Sequence, residues 1–133
     1  MSTLKVNTIQ DTSSGNTSTT AQIQQGRCKA WVNCNGGTAT STNGSITINN
    51  SFNVSSVTDK GVGRHRITFS SAMPNVQLCP VFGFRRLDSN MIPHQNTADT
   101  LNSGYIDIRT TFSWSQGGTL GDTSQLFVAI FGD

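Results

Sequence analysis

From residue 31 to the C-terminus, apolar and polar residues alternate in short runs that turn-forming residues separate. In RHRITF, residues 64–69, the residues His65, Ile67 and Phe69 fall on one side of an extended chain and the arginines on the other. YIDIRTTFSW, residues 105–114, repeats this period of two. Because side chains of a β-strand point alternately to its two faces, the pattern predicts half-buried strands. Short strands joined by Gly- and Asn-rich turns are typical of a small antiparallel sandwich.

Three other runs depart from strict alternation. QLFVAIFG, residues 125–132, is apolar almost throughout and predicts a central strand. VQLCPVFGFRRL, residues 76–87, predicts a buried strand, but Pro80 has no N–H for a ladder and indicates an edge position or a bulge. SITINNSFNVSS, residues 45–56, predicts two strand pieces divided at Asn49 and Asn50, or one strand with a bulge there.

The amino-acid composition argues against helices. The chain has no glutamate and few lysines and leucines, which are residue types that helices favour. Only 34% of its 133 residues are hydrophobic and 12% are charged, but a net charge of +2 is low for a disordered chain. We therefore predict an all-β protein, with a small antiparallel β-sandwich or jelly-roll-like domain over residues 27–133 and an extended N-terminal arm over residues 1–26.

The predicted arm is rich in Ser, Thr, Asn and Gln and has few residues that a core could bury. Its apolar residues include Leu4, Val6 and Ile9, which we expect to contact partner chains. An extended polar arm is stable when neighbouring chains supply its hydrogen-bonding partners, as in strand addition. Within the arm, TAQIQQG predicts a helical turn that ends at Gly26.

Four segments of the sequence carry a resemblance to a known family. STLKVNTIQDTSSGN and GRCKAWVNCNG are followed by SFNVSSVTDKGVG and ITFSSAMPN. Together they resemble a recurring module of tailed-bacteriophage virion structural proteins, especially tail-fibre proteins. The resemblance covers about residues 2–75, with Cys28 and Cys34 where the family pattern has Ala and Phe. Residues beyond 75 carry no family signature.

The resemblance implies a virion structural protein, made in the host cytoplasm and located in the phage particle. As a tail fibre it would be a homotrimer that docks by its arm on other virion proteins and presents loops to a host-surface glycan. The same arm and domain also fit a capsid decoration, or cement, protein that clamps neighbouring shell subunits. The sequence leaves both alternatives open.

Residues that could carry catalysis are few. Glycoside hydrolysis needs two carboxyl groups about 5 to 10 Å apart, and in this chain only aspartates could supply them. Most of these aspartates lie in turn-like segments, where aspartate is favoured for bonding its own backbone. The two histidines have no further ligand type nearby in the sequence. We therefore expect no enzymatic activity, no metal and no cofactor.

The distribution of basic, apolar and cysteine residues along the sequence bears on other classes of partner. The basic residues form no run or stripe, so we expect no nucleic-acid binding. No apolar run is long enough to span a bilayer, so we expect no membrane insertion. Cys28, Cys34 and Cys79 lack the spacing of zinc ligands and are interpreted as small buried hydrophobic residues.

Two regions are predicted to contact partners. Trp31 lies on the opposite strand face from Ala30 and Val32, which favours a subunit interface over a ligand platform. Residues 88–104 show no strand period and predict the longest loop, either a receptor-binding segment or an ordinary connection. The predicted receptor-facing residues are Arg85, Arg86, Asp88, Asn90, His94 and Asn96.

Overall fold

The computed structural model describes residues 5–10, 17–36, 43–85, 93–112 and 119–132. These residues contain one helix and eleven strands. In chain order they are β1 (Thr8–Gln10), β2 (Thr17–Thr19), α1 (Thr20–Gly26), β3 (Ala30–Asn35), β4 (Ile48–Phe52), β5 (Val54–Gly61), β6 (Arg64–Phe69), β7 (Leu78–Arg85), β8 (Pro93–Leu101), β9 (Tyr105–Phe112), β10 (Thr119–Leu120) and β11 (Gln125–Gly132).

Two antiparallel sheets form the domain. One has the strand order β4-β3-β11-β7, and the other has the order β10-β9-β6-β5 with β8 also paired to β9. Their inner faces share one apolar core, because alternate residues of both sheets belong to a single buried cluster. Ile67 and Ile106, for example, are directly opposite on β6 and β9 and are completely buried. The predicted all-β sandwich and its inward residues are confirmed.

The chain crosses from one sheet to the other at Asn53, between β4 and β5. Asn53 has a positive φ of 53°, a conformation that asparagine adopts more readily than most residues. Its side chain donates to the carbonyl of Lys29 at 3.2 Å and accepts from the backbone N–H of Ser71 at 2.8 Å. The pairing of β3 with β4 shifts by one residue at Asn49. The predicted bulge is thus confirmed, and the division between the strands lies three residues beyond Asn50.

Strand β11 lies between β3 and β7, so its predicted central position is confirmed. Strand β7 is at the edge of the same sheet. Proline is tolerated in an edge strand, because the N–H that it lacks would point to solvent and not to a neighbouring strand. The edge position that Pro80 indicates is therefore confirmed, and the expectation of a buried strand is wrong on one face, because Cys79 and Val81 are exposed. They point away from the core, as alternate residues of an edge strand do.

The prediction of a loop over residues 88–104 was wrong for residues 93–101, which form β8. This strand pairs with β9, and the pairing shifts between Pro93 and Gln95 and again between Ala98 and Thr100. Each shift exchanges the residues that face the two sides of the strand. Two shifts within nine residues erase the period of two by which a strand is found in a sequence.

The described part of the arm folds back on itself and is not extended throughout. Strands β1 and β2 pair antiparallel, with Thr8 opposite Thr19, and α1 follows directly. Thr19 caps α1, because its hydroxyl accepts from the N–H of Gln22 while the Gln22 side chain accepts from the N–H of Thr19. The helix predicted to end at Gly26 is confirmed.

Removing residues 1–26 is expected to leave a folded domain. None of the described arm residues belongs to the buried core, and β1 and β2 form a separate sheet. Since α1 contacts β11 only at the surface, we expect the free energy of unfolding to fall by about 1 kcal/mol or less. Urea unfolding of residues 27–133 and of the full chain, followed by circular dichroism, measures the difference. Loss of the β-sheet spectrum on truncation would assign the arm to the core.

Candidate functional site: the outer face of the four-stranded sheet

The outer face of the four-stranded sheet is mainly apolar. Directly paired residues of adjacent strands lie on the same face of a sheet. The pairing of β4, β3, β11 and β7 gives two rows across the middle of this face, beside a row of Asn35, Gln125 and Arg85 at one end. The first row is Phe52, Trp31, Ala129 and Val81, and the second is Asn50, Asn33, Phe127 and Gly83. We call these eight residues the apolar face. None of them carries a charge.

Much of this apolar surface is open to solvent. Phe52 and Val81 are 51% and 54% exposed, and Phe127 between them is 37% exposed. Gly83 contributes no side chain beside Phe127, and a groove of about 530 Å³ runs over β3, β11 and β7 at this point. Trp31, half-buried, forms part of its wall. A groove lined by aromatic and aliphatic side chains is suited to packing against another apolar surface.

Asparagine side chains cluster at one end of this outer face. The Asn49 amide lies 3.3 Å from the side-chain oxygens of both Asn33 and Asn35 and donates to them. The bulge at Asn49 brings this amide over β3, because it turns an extra residue of β4 to the outer side. The exposed Arg85 lies in the same row as Asn35, at this end of the face. An apolar centre with a polar rim is the usual composition of a protein interface.

The outer face of the five-stranded sheet has the opposite character. Its rows are Thr58, Arg66, Asp107 and Thr100, then Gly61, Arg64 and Arg109, then Ser56, Thr68 and Tyr105. Arg66 forms a two-pronged ion pair with Asp107, at 2.7 and 2.8 Å, and lies 3.9 Å from the centre of the Tyr105 ring. Hydrogen bonding to Asp107 raises the pKa of Arg66. This polar face is thus a solvated surface, unlike its counterpart.

A buried polar cluster closes one end of the sandwich. His65 is 1% exposed and has a side-chain nitrogen, Nδ1, without a protein partner among the described residues. Asp59 accepts from the N–H of Gly61 at 2.7 Å, and Asp122 accepts from the N–H of Gly63 at 2.8 Å. The bond from Gly63 to Asp122 ties the β5–β6 turn to the β10–β11 connection. Burial lowers the pKa of His65, and the nearby carboxylates of Asp59 and Asp122 oppose this effect.

Lowering the pH below 6.5 is expected to destabilise the domain through His65. The unfolded chain binds a proton near the ordinary pKa of 6.5, whereas the folded chain, with its lower pKa, does not until the pH is lower still. The stability that neutral His65 contributes is therefore fully present above pH 6.5. It is lost as the pH falls from 6.5 toward the pKa of His65 in the folded chain, at up to about 1.4 kcal/mol per pH unit. Urea unfolding between about pH 7.5 and pH 5.5 should show a smaller slope for His65→Gln than for the native chain. Equal slopes would exclude this role.

The structure locates some of the predicted site residues and not others. Val6 and Ile9 are exposed in the arm, Trp31 lies on the apolar face, and Arg85 is exposed at the end of β7. The backbones of His94 and Asn96 belong to β8. Leu4, Arg86, Asp88 and Asn90 lie outside the described residues. The structure therefore does not bring the predicted receptor-facing residues together into one described site.

The three cysteines differ in how far they are buried. All three cysteines are free; Cys34 is buried, as interpreted, but Cys28 is half-buried and Cys79 is exposed on the outer side of an edge strand. Burial raises the pKa of the Cys34 thiol to about 11. Among the described residues, no three His, Cys, Asp or Glu side chains are grouped to hold a metal ion. In the same part of the chain no helix is long and apolar enough to cross a bilayer.

Residues of the apolar face other than Trp31 were missed by the sequence reasoning. The signal was present in QLFVAIFG, where Leu126, Val128 and Ile130 face the core while Phe127, Ala129 and Phe131 lie on the other side. A run that is apolar on both faces predicts a strand buried on both. In the single chain only one of these faces is covered.

Comparison of the chain with protein-family models, with curated proteins and with solved structures gave no match.

Proposed function

We propose that this chain is a structural protein of a tailed-phage particle, a homotrimeric tail fibre that docks by its N-terminal arm and presents its β-domain to the host surface. The observation that carries the proposal is the exposed, uncharged apolar face centred on Trp31 and Phe127. The virion role itself comes from the resemblance of residues 2–75 to phage fibre modules.

Other copies of this chain are the occupants that best fit the apolar face. Its two rows carry no charge, so three copies can turn them toward a common axis without electrostatic repulsion. The polar face, which carries Arg64, Arg66 and Arg109, offers no such uncharged contact. Burying Val81, Phe52 and Phe127 between copies removes them from water, which is the main source of favourable free energy in association.

The arm supports the docking part of the proposal. Val6 and Ile9 are 41% and 57% exposed, so the described arm leaves its apolar side chains uncovered by its own domain. A hairpin that holds two exposed β-branched residues next to a short helix can add them to a neighbouring protein, in this case another virion protein.

A binding role is better supported than a catalytic one. Three aspartates whose side chains the structure describes are engaged within the chain: Asp59 and Asp122 accept from backbone N–H groups, and Asp107 pairs with Arg66. General acid catalysis needs a carboxyl group that can reach a substrate and hold a proton. These aspartates instead fix the ends and the outer face of the sandwich.

Labelling of purified particles tests the proposal. An antibody against residues 27–133, marked with gold and applied to particles of the phage that encodes the chain, should decorate the tail tip or fibres. Label over the capsid lattice would favour the decoration-protein alternative. Particles that carry the chain in neither position would contradict a virion role.

A further inference from the structure

We infer that Asn43 is a site of spontaneous modification, at which the side-chain amide is lost and the residue is converted to aspartate or isoaspartate. The sequence has two Asn-Gly pairs, Asn35-Gly36 and Asn43-Gly44. Because glycine has no Cβ atom, it leaves its own backbone nitrogen unhindered for attack on the preceding side chain. The structure holds the two pairs differently, and of the two it is Asn43 that is placed to react.

The side chain of Asn43 lies beside a positive charge. Asn43 is exposed in a turn, with a positive φ of 68°. Its Oδ1 accepts from Nζ of Lys60 at 2.6 Å. An ammonium group at this distance draws electrons from the amide carbonyl and stabilises the negative charge that develops on Oδ1 when a nucleophile attacks Cγ. Lys60 therefore favours the loss of the Asn43 amide.

The reaction uses the backbone nitrogen of Gly44 as nucleophile and water as the second reactant. This nitrogen loses its proton and bonds to Cγ of Asn43, the Cγ–Nδ2 bond breaks, and the amide nitrogen leaves as ammonia with that proton. The product is a succinimide ring, and water then adds to one of its two carbonyl carbons. Cleavage of the new Cγ–N bond gives aspartate. Cleavage of the original peptide bond gives isoaspartate, whose main chain runs through Cβ and Cγ.

Asn35 is held in a way that opposes the same reaction. It ends β3, and its N–H donates to the carbonyl of Thr47 at 3.0 Å. The N–H of Gly36, the corresponding nucleophile, donates to the carbonyl of Ser124 at 3.2 Å, and Gly36 is buried. A hydrogen-bonded, buried N–H gives up its proton less readily than an accessible one. Reaction at Asn35 therefore has to wait for local unfolding of this end of β3.

Modification to isoaspartate would change the edge of β5. The chain from residue 43 to residue 46 lies along that edge, where the N–H of Ile46 donates to the carbonyl of Val57 at 2.9 Å. The N–H of Asn43 donates to the carbonyl of Asp59, and the N–H of Asp59 donates to the carbonyl of Gly44, at 2.6 and 2.9 Å. These two bonds enclose the link that isoaspartate lengthens by one atom, so they cannot both be kept. The edge of β5 at Asp59 would then be uncovered.

Peptide mapping of the full-length chain tests the inference. The chain is incubated at mildly alkaline pH, folded or in concentrated urea, and digested with trypsin, which releases both asparagines in the peptide from Ala30 to Lys60. Fragment ions locate the small mass increase that replaces an amide NH2 by OH. In the folded chain we expect Asn43 to react at least about tenfold faster than Asn35, because only Asn35 must await local unfolding. In urea the two rates should be similar.

Matched variants identify the role of Lys60. Lys60→Met should slow the reaction of Asn43 by about threefold or more, because it removes the charge beside Oδ1. Lys5→Met, which removes an exposed lysine of the arm, should leave the rate unchanged. Unchanged unfolding midpoints confirm that both variants fold. Equal rates at Asn35 and Asn43 in the folded chain, or an unchanged rate in Lys60→Met, would overturn the inference.

Hydrogen exchange measures the consequence for β5. In the purified isoaspartate form, the N–H of Asp59 should exchange at least about tenfold faster than in the native chain, whereas Asn43→Asp, which keeps the normal main chain, should retain its protection. Native protection of Asp59 in the isoaspartate form would contradict the change at the edge. Because no particle is involved, these outcomes are independent of the labelling experiment.

Discussion

Replacing Val81 with aspartate is expected to weaken association between copies of the chain by about 30-fold or more. Val81 is 54% exposed at the end of the first row of the apolar face, next to Ala129. In an assembly through this face the new carboxylate would be desolvated without a partner, which costs at least about 2 kcal/mol. Sedimentation equilibrium over a range of protein concentrations measures the change.

Val62 provides the matched control for this substitution. It is also an exposed valine, at 60%, but it lies in the turn between β5 and β6 and outside the apolar face. Val62→Asp should associate like the native chain. If both variants associate normally, or if Val62→Asp alone fails to, the apolar face is not the contact between copies.

Replacing Gly63 with alanine is expected to lower the free energy of unfolding by about 2 to 6 kcal/mol. Gly63 has a φ of +62°, which strains any residue that has a Cβ atom. A Cβ at this position would lie 2.5 Å from the carbonyl oxygen of Thr110 and 2.7 Å from the backbone nitrogen of Gly121. Both neighbours are backbone atoms, and the N–H of Gly121 donates to the carbonyl of Thr110 at 3.2 Å, so neither can move alone. Urea unfolding measures the loss.

Substitutions at two other glycines separate backbone strain from steric contact as causes of that loss of stability. Gly61 has a φ of +118° but open space around its Cβ position, so Gly61→Ala should cost only the backbone strain, about 1 to 3 kcal/mol. Gly26 ends α1 with neither a positive φ nor a close neighbour, and Gly26→Ala should change stability by about 0.5 kcal/mol or less. Equal losses at Gly61 and Gly63 would show that the close approach to Thr110 has no energetic weight.

The strands that could be predicted are those in which apolar and polar residues alternate and the apolar residues are the buried ones. In β6, His65, Ile67 and Phe69 alternate with polar residues and turn inward, because one face meets the core and the other meets water. Strand β8 could not be predicted because its two register shifts mix the residues of its faces. The alternation of apolar and polar residues indicates the face on which each residue lies only where the register of strand pairing does not shift.

The candidate site was predictable only at its centre. Trp31 was identified because it is an aromatic residue on the strand face opposite the small buried residues Ala30, Val32 and Cys34. Val81 and Phe52 were not identified, because exposed and buried apolar residues look alike in a sequence and only strand pairing places these two beside Trp31. The end cluster of His65 with Asp59 and Asp122 was also missed, since its members lie up to 63 residues apart and a single turn and connection bring them together.

The molar mass of the full-length chain in solution tests the central claim most directly. Multi-angle light scattering at neutral pH and physiological salt should give three times the 14.2 kDa of one chain, with the trimer dissociating on dilution more readily in Val81→Asp than in Val62→Asp. A folded native chain that stays at 14.2 kDa at every concentration would contradict assembly through the apolar face.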